Sequence, residues 1–207
     1  SPREQELADA YYNLGNAHMR LGEHSRAVRA YQRSLEIMPA HYEASWNLAS
    51  AWIAQNSYRN ALRQIEALLE ADPEHTQLLS TAAWLNLQLG KAETALALYR
   101  QGRRADPGDP EIREGIIKVL MDLGQFDQAR SEALDLVEYG GAKKTPLLLL
   151  YEIDLKLERD TSSEWLQEAW RRFPGDLEIA EPLFRYYAEA GRATSAAEVL
   201  ARLIDQG

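Results

Sequence analysis

The chain has 207 residues, 45% of them hydrophobic and 27% charged, which is enough apolar material for a packed core and argues against a disordered polymer. Thirty-two acidic residues against 23 basic ones give a net charge of -9, which opposes binding to phosphate backbones or anionic lipid surfaces. There is no cysteine, so disulfides, thiolate metal sites and cysteine nucleophiles are excluded.

Residues 1–7 read as a lead-in without the apolar region of a signal peptide. No run approaches the roughly 18 apolar residues that span a bilayer. The chain lacks an initiating Met, so we expect an excised or processed piece, with any membrane tether lying outside it and the compartment, cytoplasmic or periplasmic, left open. From Ala8 the apolar residues fall into helical spacing. Tyr11, Leu14, Ala17, His18 and Leu21 predict one helix, and Ala27, Val28, Tyr31 and Leu35 a second. Gly22 between them suits a left-handed cap, and Pro39 ends the second helix because it lacks an N–H and clashes with a continuing turn.

This pair recurs every 34 residues. Ala8 to Ala17 aligns with Tyr42 to Ala51; Pro39, Pro73 and Pro107 share the period, as do Ala27, Ala61, Ala95 and Ala129, and Gly22, Asn56, Gly90 and Gly124. Four well-formed units follow, 8–41, 42–75, 76–109 and 110–142. Two weaker ones, 143–176 and 177–207, complete the chain. In the fifth, the turn Leu157-Glu158-Arg159 has no glycine and Ser162 stands at the packing alanine. A one-residue shift is expected around Gly140-Gly141, with a change of pitch across repeats four and five. Pro182 is expected to shorten or bend the first helix of the sixth unit.

The pattern resembles the tetratricopeptide repeat family over nearly the whole chain. Tyr11, Leu14, Gly15, Ala27, Tyr31 and Pro39 match its signature in the first unit, and Leu48, Ala49, Ala61 and Pro73 in the second. The resemblance implies an all-α, right-handed superhelical solenoid of about six helix-turn-helix repeats, with the first helix of each lining a concave groove. On that basis the groove presents Tyr12, Asn13, Asn16 and Arg20, then Trp46, Asn47, Ser50 and Ile53, then Thr81, Trp84 and Leu87, and Lys118 from the fourth unit. Tyr12, Trp46 and Trp84 are expected as aromatic anchors, and the asparagines as clamps on an extended peptide backbone. Trp52, Trp165 and Trp170 are expected to be packing residues.

A branch of the family binds the C-terminal carboxylate of heat-shock chaperones through Lys, Asn and Arg. Asn16 and Asn47 match that set, but Tyr12, Gln77 and Thr81 stand where its cations would be, so the carboxylate would lack counter-ions. An asparagine ladder like that of repeat-bearing glycosyltransferases is half present, because Asn13 and Asn47 are followed by Thr81 and Gly115. His18, His24, His41 and His75 show no metal-ligand spacing, with His18 read as a core residue, and no phosphate loop or nucleophile elbow occurs. No catalytic residue, metal or cofactor is therefore expected.

The reading is a noncatalytic interaction scaffold with a protein or peptide partner, without nucleic-acid or small-molecule substrates, in a bacterial multiprotein assembly. Tyr139-Gly140-Gly141, Leu147 to Leu150 and Arg172-Phe173-Pro174-Gly175 resemble repeat lipoproteins that help assemble type IV pili. The alternative is the recruiting arm of a larger enzyme or a secretion, exopolysaccharide or pilus machine. Val199, Leu200, Leu203 and Ile204 form an apolar edge on the last helix, where a homodimer is one expected occupant.

Overall fold

The computed structural model describes residues 1–139 and 143–206, which form twelve α-helices and no strand. The chain divides into two compact units, residues 1–108 and 109–207. In the first, α1 (Pro2–Arg20), α2 (His24–Ile37), α3 (Tyr42–Ala54), α4 (Tyr58–Ala71), α5 (Thr76–Gln88) and α6 (Ala92–Ala105) pair as three hairpins. α2 packs on α3, and α4 on α5. The second unit repeats the plan with α7 (Pro110–Asp122), α8 (Phe126–Tyr139), α9 (Lys144–Lys156), α10 (Ser162–Arg172), α11 (Leu177–Glu189) and α12 (Ala193–Gln206).

Residues 2–7, expected as a lead-in, instead form the first turns of α1. Ser1 caps that helix by accepting the Glu4 amide, and Pro2 opens it where no N–H is required. Within the hairpins, the recurrent alanines lie at the helix crossing: Ala27, Ala61, Ala95 and Ala129 have no exposed surface. Any larger side chain there would push the paired helices apart. Gly15 shows the same closeness from the other side, since a Cβ built on it would overlap the Tyr31 ring.

The fifth hairpin departs from expectation in three ways. Glu158 takes the left-handed turn conformation itself, at φ 53°, where the earlier turns have Gly22, Asn56, Gly90 and Gly124. Pro110 and Lys144 open α7 and α9 in unbroken register, so the one-residue shift is not around Gly140-Gly141; it falls between the turns at Glu158 and Gly191. There α10 starts late and has 11 residues against 14 in α8. Ser162 is the half-exposed first residue of α10 and does not replace the packing alanine. The expected pitch change at repeats four and five falls partly on residues 140–142, outside the described residues.

What secures this hairpin is a fully buried carboxylate. Asp154 of α9 accepts from Arg130 Nε of α8 at 2.6 Å, from Thr161 Oγ1 at 2.6 Å and from Trp165 Nε1 of α10 at 2.8 Å. Burial pushes this carboxyl up, but the hydrogen bonds from Arg130, Thr161 and Trp165 outweigh it and hold Asp154 below the usual carboxylate range. Trp165 thus packs against the second unit's core and also donates, while Trp170 is buried in that core. Pro182 does not shorten α11, which keeps the 13 residues of α3, α5, α7 and α9.

Candidate functional site

The first-helix face of the first unit carries two clefts. One, of about 570 Å³, is lined by Gln5, Asp9, Tyr12, Asn13, Met38, Ala40, His41, Tyr42 and Glu43. Two carboxylates face its histidine, with Asp9 Oδ1 3.3 Å from His41 Nε2 and Glu43 Oε2 3.2 Å from Nδ1. The Tyr12 ring sits 5.0 Å from the His41 ring and 6.1 Å from Tyr31. Tyr12 is therefore half-buried, with one edge open to the cleft.

The other cleft, about 340 Å³, is lined by Asn16, Met19, Arg20, Tyr31, Asn47 and Ser50. Asn16 Oδ1 accepts from Tyr31 Oη at 2.7 Å and from Asn47 Nδ2 at 2.8 Å, tying α1, α2 and α3 together. Two of the three amides expected as peptide clamps, Asn16 and Asn47, are thus partly engaged with each other, and each keeps at least one N–H or carbonyl free. Burial raises the Tyr31 phenol above its ordinary range, so it stays a neutral donor at pH 7. Arg20 is exposed and has no ion pair among the described residues.

The remaining expected residues are distributed differently. Ser50 donates to the Trp46 carbonyl at 3.0 Å and Thr81 to that of Gln77 at 2.7 Å, so both hydroxyls bond their own helix rather than the groove. Trp46, Ile53 and Trp84 are half-buried against the core built around Ile65 and Leu78, and Trp84 meets Tyr58 edge-on at 5.6 Å. Leu87 is half-buried, and Asn13 is exposed. Lys118 is exposed on α7 in the second unit, beside Glu114, whose carboxyl is pushed up by burial and drawn back by Lys118.

His18 is not a core residue: its ring is one-fifth exposed and 2.7 Å from Glu23. The buried histidine is His41, 8% exposed, which caps α3 by accepting the Ala44 amide. Among the described residues no group of three His, Asp or Glu side chains forms a metal site, and no helix is long and apolar enough to cross a membrane.

Three models, each described as tetratricopeptide repeat, match residues 8–41, 53–110 and 86–141, together more than half the chain. The chain belongs to the tetratricopeptide repeat family. Repeats of this family are protein-interaction modules, and this chain is one such helical-repeat scaffold.

Among curated relatives, the type IV pilus assembly protein PilF of Pseudomonas aeruginosa is 26% identical, with 85% of this chain and 84% of PilF covered. An uncharacterized lipoprotein of Treponema pallidum is 28% identical over 61% of this chain, which spans 64% of that protein's length. Of solved structures, a tetratricopeptide repeat protein from Parabacteroides merdae superposes with a TM-score of 0.79 at 17% identity, over 97% of this chain and 80% of that one. YrrB, described as a repeat protein with an unusual peptide-binding site, gives 0.65 at 21% identity over 82% and 87%. At these identities the structures establish the tetratricopeptide-repeat fold alone.

Proposed function

We propose that the chain is a noncatalytic scaffold whose first unit holds an extended segment of a partner protein against α1, α3 and α5. The observation that carries this reading is the polarity of the face: Asp9 and Glu43 at one cleft, Arg20 with the Asn16 and Asn47 amides at the other. Asp9 and Arg20 are separated along α1 by about 16 Å, at 1.5 Å per residue. Extended chain covers that in about five residues. The segment that fits has a basic side chain against Asp9 and Glu43 and an acidic one, about five residues away, against Arg20. Tyr12 and the flanks of Trp46 and Trp84 supply the apolar contact between them.

The test uses peptides selected from a random displayed library on the chain, titrated against the parent and against Asn13→Ala with Arg20→Glu. Both altered residues are exposed, so thermal melting should not change. Binding at least tenfold weaker in the variant is the expected result. Equal affinity would move the interface off this face.

For biological setting we propose a bacterial multiprotein assembly at the cell surface, supported by the pilus assembly relative that matches most of both chains. Deleting the gene in its source organism and counting pili by electron microscopy tests this. Unchanged pilus number removes that setting and leaves the peptide-binding reading standing.

A further inference from the structure

Stacking of one hairpin on the next uses two stripes, one on each first helix and one on each second helix. In the first unit Leu48, Ala51 and Trp52 of α3 meet Val28, Tyr31 and Leu35 of α2 in one cluster. In the second, Arg130 of α8, at the Val28 position, reaches Asp154 of α9, at the Trp52 position. Where a stripe is covered it is dry: Leu48, Ala82, Leu150 and Leu183 are at most 2% exposed. Leu14, at the same repeat position, is 46% exposed, and the stripe continues through Leu7 at 50% and Leu21 at 72%.

The second-helix stripe is uncovered at the other end. Leu200 of α12 is 43% exposed and Ile204 79%, whereas Tyr31, Ile65 and Ala133, at the repeat position of Leu200, are at most 1% exposed. In this chain α1 and α12 each present an apolar half of the interface that stacks one hairpin on the next, and the two halves are complementary.

We propose that a second copy of this chain covers them, α12 of one copy stacking on α1 of the next, head to tail, as α2 stacks on α3. A cleft of about 350 Å³ between α1 and α2, walled by Tyr11, Leu14, His18 and the stems of Arg26, Arg29 and Arg33, receives Leu200 and Ile204. Charge agrees with this direction. Inside the first unit, Gln101 of α6 donates to the Pro73 carbonyl just past the end of α4, at 3.0 Å. The same repeat position in the first hairpin is Arg33, so head-to-tail stacking brings a guanidinium to the carbonyl-rich, partially negative end of α12. Such a contact leaves a free head and a free tail on every assembly, so growth does not stop at two copies unless a ring closes.

Sedimentation velocity over a wide concentration range, on the full chain and on Leu14→Asp and Leu200→Asp, tests the proposal. Both side chains are solvent-exposed in the single copy, and unchanged helical melting confirms that each variant folds. The parent is expected to grow with concentration past the dimer. Each variant alone loses association by tenfold or more, and an equimolar mixture forms a 1:1 heterodimer and nothing larger, because one intact head and one intact tail remain. A parent that stays monomeric throughout overturns the proposal. So does Leu14→Asp that still dimerises alone, which would mark a tail-to-tail contact, or a mixture that stays monomeric.

Discussion

The two units build the same hairpin stack from different chemistry at matching positions. Where α2 meets α3, Val28 and Trp52 share one apolar cluster; where α8 meets α9, the same two positions hold Arg130 and Asp154, joined at 2.6 Å. Repeat position therefore dictates which side chains face each other without dictating how they attract. The difference matters energetically. An apolar pair loses packing when one member is cut back, but a buried ion pair leaves its partner's charge stranded.

The largest expected effect breaks that comparison directly. Asp154→Ala strands Arg130, whose side chain is 19% exposed, and removes the acceptor of Thr161 and Trp165. The second unit should lose about 3–5 kcal/mol. Hydrogen exchange would speed up in α9 and α10 and stay unchanged in α3 and α4. Arg130→Val with Asp154→Leu, which restores the chemistry of the first unit, should recover part of the loss. Acid gives a second view. The folded carboxyl is depressed, so its contribution is complete above the unfolded value of about 4 and disappears as pH falls through the lower folded value. Asp176, held down first by the Lys144 hydrogen bond, acts in the same direction. Thermal melts between pH 6 and 2 should show the second unit weakening on acidification, with a shallower dependence in Asp154→Ala.

Next in size is a perturbation confined to the first unit. Gly15→Ala places a methyl inside the Tyr31 ring, which is 1% exposed and bonded through its hydroxyl to Asn16. Displacing the ring also breaks the tie between Asn16 and the second helix, so we expect a loss of about 1–3 kcal/mol. Denaturant unfolding measures it, and exchange in α9 and α10 should stay at the parent rate. A neutral result would mean that α1 and α2 can separate freely, contrary to the fully buried Ala27 at their crossing.

The hairpin plan was legible because its punctuation is chemical: a left-handed turn calls for glycine or asparagine, a close crossing for alanine, a helix end for proline. Each residue type there stands for one local geometry. Glu158 and Asp154 escaped because neither is the usual residue for its role. A signal was present nonetheless. Asp154 follows His18, Trp52, Asn86 and Leu120 at one repeat position, and Arg130 follows Val28, Leu62 and Leu96 at another. Two opposite charges at positions that face each other across a stack, with Arg130 replacing the apolar residue of the first three repeats, form a readable pair. The candidate face was legible as a set of helix positions, but not in its bonding. Sequence cannot tell that the Asn16 and Asn47 amides bond each other, or that Ser50 and Thr81 turn to their own backbone. Those choices depend on what lies within 3 Å across the neighbouring helix.

The smallest effect sharpens the comparison at the turns. Asn56 and Glu158 are the non-glycine residues at positive φ among the described residues, at 56° and 53°, one in each unit. A left-handed backbone presses Cβ against the following carbonyl, which costs an ordinary side chain about 1–2 kcal/mol. Asparagine tolerates that conformation better because its short polar side chain bonds locally. Here the Asn56 carbonyl oxygen also accepts the Tyr58 hydroxyl at 2.8 Å, an attachment that glycine would remove. Glu158 has no such local bond, although it closes the turn through the Leu155 carbonyl as glycine would. Glu158→Gly should therefore stabilise the second unit by about 1 kcal/mol, the relieved strain exceeding the added freedom of the unfolded chain. Asn56→Gly should change the first unit by no more than a few tenths, because relief and lost hydrogen bond offset each other. Matched denaturation curves decide it: equal shifts from the two substitutions would mean that side-chain bonding contributes nothing at these turns.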